Sequence, residues 1–241
     1  MKDASEKRAI RAGAVLAAAG TGERLGPGGG VPKALLALGG RPLVWHSLSV
    51  FEDHSRIEAV VLVVPPGMED RFRREIADRW SFRKVSAVVR GGGTRQESVR
   101  LGLDALDERL DPVLIHDAAR PLVTSDLVSV CLESGAAFGA CIPALPVAGT
   151  VKQVDDGDNV RRTVDRTGLW EAQTPQVFGS SVIREAHRAA LESGTEATDD
   201  SSLVEKLGVS VKVVRGSPEN IKVTWPVDLE IAEAILNRRT S

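Results

Sequence analysis

AVLAAAGTGERLGPGGGVPK, residues 14–33, is the stretch that decides the fold. It runs from a short apolar segment straight into Gly20, Gly22, Gly26 and Gly28–Gly30, and it ends on Pro32-Lys33. An apolar run without alternation suits a strand buried on both faces. The glycines behind it carry no Cβ, so backbone N–H groups can converge on an anion. Arg24 and Lys33 bracket the loop and supply positive charge where phosphates would lie. Two well-known phosphate loops do not fit. A dinucleotide fingerprint needs G-x-G-x-x-G and an acidic residue closing the second strand. Here the third glycine comes one position late, and the second apolar run ends in Val64-Pro65-Pro66. A Walker loop needs Gly-Lys-Ser/Thr, whereas Lys33 stands between Pro32 and Ala34. A merely flexible connection leaves two cations at fixed places unexplained.

Outward from that stretch, short apolar runs alternate with amphipathic ones, the pattern of a mainly parallel α/β sheet covered by flanking helices. Strands are expected at Ala14–Ala18, Ala59–Val64, Ser86–Val89, Val113–Ile115, Ala140–Leu145, Val209–Val214 and Ile221–Val223. Helices are expected at Pro42–Phe51, Thr94–Leu106, Ser125–Gly135, Ser180–Leu191, Asp199–Leu207 and Val227–Leu236. The Ser125-Asp126 opening of the third suits an N-cap and first turn. Val151–Val164, VKQVDDGDNVRRTV, breaks the rhythm with two β-prone segments around Asp156-Gly157 and Asp158-Asn159, a hairpin signal. It is polar on both sides and too small to bury itself. It reads as a protruding β-hairpin arm, approximately residues 147–167, leaving a single domain of residues 1–241 toward a second subunit. The alternative is an ordinary surface hairpin.

Composition excludes several functions. A net charge of -2, aromatics at 4% and no Tyr argue against nucleic acid as a partner. Cys131 and Cys141 lack CxxC spacing and read as buried free thiols. The four histidines are scattered without the spacing of a zinc site. No apolar run approaches the ~20 residues that span a bilayer, and Met1–Arg11 has no apolar core of a signal peptide. A cytoplasmic enzyme with no membrane partner is expected.

The loop pattern A-A-G-x-G-x-R-L followed by P-K resembles the signature of nucleoside-triphosphate-dependent sugar and polyol-phosphate nucleotidyltransferases. Three more motifs narrow it. His116-Asp117-Ala118-Ala119-Arg120-Pro121 follows an apolar run, which puts Asp117 at the carboxyl end of a strand, where α/β sheets bind ligands and a carboxylate can hold Mg²⁺. Thr163-Val164-Asp165-Arg166 continues through Leu169-Trp170 to Gln173-Thr174-Pro175-Gln176, and Asn220-Ile221-Lys222-Val223-Thr224 comes near the end. Gly91-Gly92, Arg95, Ser98-Val99 and Thr198-Asp199-Asp200 complete the set. From Val15 to about Ile235 the chain resembles the 2-C-methyl-D-erythritol 4-phosphate cytidylyltransferase family.

That resemblance implies a Rossmann-like sheet of the nucleotide-diphospho-sugar transferase type, CTP and methylerythritol phosphate as substrates, Mg²⁺ as cofactor, and a homodimer whose arms close each other's active sites. Ala18, Ala19, Gly20, Gly22, Gly92, Arg95, Ser98 and Ala118 would hold CTP. Arg24 and Lys33 would stabilise the α-phosphate transition state. Asp117 would coordinate the metal. Arg166, from the partner chain, and Lys222 would position the incoming phosphate, with Thr174 hydrogen-bonding it. Asp117, Arg120 and Thr150 would engage the polyol. The family usually has Asp where this chain has Gly149, which bears on Thr150 and the arm's hinge, and often Asp where it has Gly93. The run 26–31 is expected to take its shape only around CTP. Two rivals remain at this stage: a ribitol-5-phosphate cytidylyltransferase, and a nucleotide-binding regulatory homologue without activity. Both Arg166 and Lys222 are more than a mere binder needs.

Overall fold

Strand β1 (Ala12–Ala17) lies between two parallel neighbours, and the chain winds outward from it on both sides. The structure, a computed structural model, describes residues 10–20, 22 and 31–240. Arg24 and the run 23–30, with the expectations placed on them, lie outside the described residues. The further strands are β2 (Ile57–Val64), β3 (Val85–Arg90), β4 (Val113–Asp117), β5 (Ala140–Pro146), β6 (Val151–Val154), β7 (Val160–Val164), β8 (Trp170–Ala172), β9 (Gln176–Phe178) and β10 (Lys212–Arg215). Helices α1 (Leu43–Asp53), α2 (Arg95–Ala105), α3 (Ser125–Phe138), α4 (Ser180–Ser193), α5 (Asp200–Lys206) and α6 (Pro226–Thr240) cover the sheet.

The pairs β1–β2, β1–β4, β2–β3 and β5–β10 are parallel. Two short strands, which the sequence pattern did not single out, run the other way. β9 pairs antiparallel with both β4 and β5, and β8 pairs antiparallel with β5. The register with β5 slips by two residues between Ala172 and Val177, so Gln173-Thr174-Pro175 bulges out of the ladder.

Small and β-branched side chains let β1 bury both faces. Val15 and Leu16 are each fully buried, in opposite cores, as a period of two requires. Leu16 joins Phe72, Phe51 of α1 and Leu132 of α3, while Val15 joins Val99 and Leu103 of α2, Ile183 of α4 and Leu203 of α5. Helix α2 presses on the sheet at Gly102, where an added Cβ would come 2.5 Å from Val15 and 2.8 Å from Val63. A third cluster seats α6 through Ala232 against Leu43, Leu122 and Val223.

Three local expectations need correction. Ile221–Val223 is not a strand: it sits at the sheet's rim, where Val223 N–H donates to the Ala119 carbonyl at 2.7 Å and no ladder forms. The strand expected from Val209 begins at Lys212. Thr124, one residue earlier than expected, caps α3, its hydroxyl accepting from Leu127 N–H at 3.2 Å.

The hairpin forms as read, β6 against β7, and it pairs only with itself among the described residues. Asp155 closes its turn by accepting from the N–H groups of Gly157 at 3.0 Å and Asn159 at 2.9 Å. Among the described residues no helix is long and apolar enough to cross a membrane.

Candidate active site

Leaving β1, the chain builds β2 and β3 on one side, then crosses to lay β4 on the other. That reversal opens a crevice beyond the strands' carboxyl ends. A cleft of about 580 Å³ lies there, lined by Ala17–Gly20 after β1, Pro65-Pro66 after β2, Gly92–Arg95 and Ser98 after β3, and Asp117–Ala119 at the end of β4. Lys33 and Lys222 reach it from two other segments.

One wall is backbone. Gly91 has no room for a side chain: a Cβ would lie 2.5 Å from that of Ala19 and 2.8 Å from the Ser98 hydroxyl. Ser98 is buried; its hydroxyl accepts from Gly92 N–H at 3.1 Å and donates to the Thr94 carbonyl at 2.8 Å. It therefore holds the Gly92 turn, and its one proton is already spoken for. A wall of small residues and oriented amides fits a flat polar base without aromatic stacking.

The opposite wall carries charge. Asp117 is 6% exposed, with Arg95 Nε donating to Oδ1 at 2.9 Å and Lys222 Nζ donating to Oδ2 at 2.7 Å. Burial works against its ionisation, but Arg95 and Lys222 outweigh that and hold the carboxyl well below the usual carboxylate range. Lys33 Nζ donates to the Val223 carbonyl at 3.1 Å, which ties the two cation-bearing segments together. Among the described residues no cluster of three His, Cys, Asp or Glu could cage a metal. Mg²⁺ needs no such cage, since one carboxylate with substrate phosphates and water completes its shell. Asp117, buried at the end of β4 with its oxygens on Arg95 and Lys222, is the carboxylate that lines the cleft and could serve in that mode.

Behind this wall the expected substrate residues divide. Lys33, Arg95, Asp117, Ala118 and Lys222 line the cleft together with Ala18, Ala19, Gly20, Gly92 and Ser98. Thr174 and Arg120 do not. Thr174 Oγ1 accepts from Asp117 N–H at 3.1 Å and lies 2.8 Å from His116 Nδ1, while His116 Nε2 lies 3.1 Å from the Arg120 carbonyl. A carbonyl can only accept, so Nε2 carries the proton and Thr174 donates to Nδ1. Burial lowers His116 to about 4, which keeps the ring neutral. Arg120 is likewise buried and donates to the carbonyls of Asn220 at 2.7 Å and Ala172 at 3.3 Å. Both residues thus brace the His116–Arg120 turn. Thr150 and Arg166 are exposed at the base of the hairpin; Arg166 donates to the Ala148 carbonyl, and neither lines this chain's cleft.

The segment Gln173–Gln176, a motif in the sequence, is a keystone whose partners the sequence does not name: its first three residues bulge and Gln176 opens β9. Gln173 exchanges hydrogen bonds with the backbone of Ser217, at 2.9 Å and 3.1 Å, and Asn220 donates to the Thr174 carbonyl at 2.8 Å; both fix the approach to Lys222. Gln176 donates to Asp199 at 2.8 Å and accepts from Ser201 N–H at 3.1 Å, fixing the start of α5. Its sequence signal was the density of amide and hydroxyl side chains around one proline in an otherwise apolar neighbourhood.

Comparison with known proteins identifies one family over nearly the whole chain. The family model described as 2-C-methyl-D-erythritol 4-phosphate cytidylyltransferase (IspD) matches residues 12–238. The protein of that name from Pelotomaculum thermopropionicum is 46% identical over 226 residues, 94% of each chain. Its namesake from Geobacillus kaustophilus is 45% identical, over 94% of this chain and 97% of its own. The crystal structure of the Thermus thermophilus protein superposes with a TM-score of 0.76 at 37% identity, covering 94% of this chain and 98% of its own. The 4-diphosphocytidyl-2C-methyl-D-erythritol synthase of Anaerococcus prevotii gives a TM-score of 0.82 at 30% identity, covering 95% of this chain and 97% of its own.

Proposed function

Because the chain belongs to the 2-C-methyl-D-erythritol 4-phosphate cytidylyltransferase family, we propose a division of labour in its cleft for the reaction that family performs. The enzyme transfers CMP from CTP to 2-C-methyl-D-erythritol 4-phosphate in the non-mevalonate isoprenoid pathway, giving 4-diphosphocytidyl-2-C-methyl-D-erythritol and pyrophosphate.

The incoming 4-phosphate is already ionised, so the attack on the α-phosphorus of CTP needs no general base. His116, buried, neutral and committed at both nitrogens, is not placed to act as one. What the protein supplies is alignment and compensation of charge as it moves toward the leaving pyrophosphate. The small-residue wall of Ala18–Gly20 and Gly92 receives the nucleoside. Lys33, with Arg24, meets the α-phosphate and the departing oxygens, and Lys222 draws in the acceptor phosphate. Asp117 would hold Mg²⁺, which when bound would supply positive charge to offset that of the CTP phosphates. The observation that carries this reading is Asp117 at the end of β4, held between Arg95 and Lys222 over the crevice.

The enzyme works as a homodimer, and Arg166 acts in the partner's cleft. Supporting this, the hairpin pairs with no other strand among the described residues, and its Val154 and Val160 are 48% and 59% exposed. The cytoplasm suits it, because the buried thiols of Cys131 and Cys141 stay reduced there. Pyrophosphate release from CTP tests the chemistry: release with methylerythritol phosphate, little with ribitol 5-phosphate and none after Mg²⁺ chelation is expected. Unchanged turnover in a chelator would remove the metal from the scheme. Mixing Lys33→Ala and Arg166→Ala chains tests the arm. If Arg166 acts across the interface, half the dimers carry one intact site and about a quarter of the wild-type rate returns. No recovery would place Arg166 on its own chain's site.

A further inference from the structure

Past Asp117 the line of charge continues inward. Arg95 leaves its Nε on Asp117, and its Nη2 lies 2.8 Å from Oδ2 of Asp200, on the side away from the cleft. Asp200 Oδ1 in turn accepts from Nε2 of His187 at 3.1 Å. His187 Nδ1 has no hydrogen-bond partner among the described residues, and Nε2 is the nitrogen that donates, to Asp200. The line reads Lys222, Asp117, Arg95, Asp200, His187, and it ties β4 to α2, α5 and α4.

We propose that Asp200, oriented by His187, is a positioning residue for cytidylyl transfer, holding Arg95 from behind so that Arg95 keeps the Asp117 carboxylate aimed into the cleft. This rests on the reading of Asp117 as the cleft's functional carboxylate. Asp200 is 1% exposed and cannot touch substrate. Nor is it needed to cap α5, because Asp199 does that, accepting from Ser202 N–H at 3.1 Å. A second carboxylate buried one residue later is costly unless paired, and its pair is Arg95. Arg95 is a long side chain, 28% exposed. Tied at one edge only, it would be free to swing toward the phosphates of a bound nucleotide and leave Asp117 to Lys222. With the second edge tied, the two cations and two carboxylates balance. The sparing of Arg95 for alignment, as outer partners orient the groups that touch a reacting centre, distinguishes this arrangement from simple charge pairing.

Removing the Asp200 charge therefore has a signature that loss of structure lacks. One positive charge is left uncompensated beside an anion site, so nucleotide binding does not weaken while alignment fails. Asp200→Asn should lower kcat at least tenfold, with KM for CTP and the calorimetric Kd of CTP unchanged or lower. His187→Leu should shift kcat the same way, and His187→Gln, whose Nε2 can donate where the imidazole does, should restore it to within about threefold. A kcat within twofold of wild type for Asp200→Asn overturns the proposal, as does a raised KM for CTP at unchanged kcat, which would make Arg95 a ground-state contact. If Asp200→Asn does not fold, the His187 pair decides, and equal turnover of the Leu and Gln variants overturns it. Asp117→Asn measured alongside separates the two readings. Full activity there would sink the role of Asp117 itself, whereas an inactive Asp117→Asn beside a normal Asp200→Asn would sink only Asp200.

Discussion

The cleft and the hairpin are built on opposite terms. Around the cleft, Asp117, Thr174, His116, Arg120 and Asn220 are each at most 7% exposed, and each is bonded to another segment. In the hairpin the side-chain bonds stay local: Lys152 donates to Thr163 at 2.6 Å, Arg162 to Gln153 at 2.7 Å, and Asp155 closes the turn. The first region is preorganised within one chain, since moving any of its groups leaves a buried polar atom unpaired. The second is a two-stranded ribbon, marginal alone, whose Val154 and Val160 are exposed. The contrast teaches where to expect catalytic alignment, and where to expect dependence on a second copy.

The sharpest way to break the contrast is to remove a charge from the preorganised side. Lys33→Ala should cut turnover by ~10²–10³, as loss of one pre-aimed donor does, while the dimer stays folded. Lys33 is only half-buried, and water can replace it at the Val223 carbonyl. Steady-state rates beside a thermal melt check this. Near-normal turnover would show that the cleft's alignment does not depend on that cation.

A second test reads the preorganised region through acid. Burial holds His116 at about 4, below its ordinary 6.5, so between those values the unfolded chain binds a proton that the folded one refuses. The stabilisation is complete above about pH 6.5 and is lost as pH falls toward about 4, up to about 3 kcal/mol. Burial lowers His46 and His54 too, so they contribute slope in the same direction. His116→Gln should therefore flatten part of the stability loss between pH 6.5 and 4 in denaturant titrations. An unchanged slope would mean that the His116 site is wetter than its contacts imply.

How much of this was legible in the sequence follows from the range of each signal. Strand β1 and its exit at Ala18–Gly20 into the crevice were legible, because burial on two faces and close backbone approach demand particular residues in sequence. The hairpin was legible from Asp156-Gly157 and Asp158-Asn159 between two β-prone segments. Strands β8 and β9 were not, being three residues each and set by cross-strand pairing. Ile221–Val223 has strand composition without strand partners, since apolar content reports burial and not ladder geometry. Among site residues, spacing placed Asp117 at a strand end, and the structure puts it in the crevice. Spacing could not tell which way Thr174 and Arg120 face, because one turn's rotation decides between solvent and core. Asp199 and Asp200 look alike in sequence, yet one caps a helix and the other holds Arg95.

The smallest expected effect lies in the hairpin, and it discriminates well because it is small. Val154→Thr with Val160→Thr keeps β-branched side chains of similar shape and preserves strand propensity. At 48% and 59% exposure these side chains give up little when made polar, provided nothing covers them. Unfolding of the chain itself should then change by less than about 0.5 kcal/mol, as for exposed substitutions elsewhere. In a dimer closed by the arms the same methyl groups are buried by the partner, each contributing about 0.8 kcal/mol. With two such groups on each of the two arms, the dimer dissociation constant should then rise by on the order of 10²-fold, and the apparent rate should fall with dilution earlier than for wild type. Sedimentation velocity across a dilution series, with denaturant melts at fixed concentration, separates the two quantities. If the chain's own stability falls by more than about 1 kcal/mol while dissociation is unchanged, the hairpin packs on its own chain. The line between a preorganised cleft and a partner-dependent arm would then have to be redrawn.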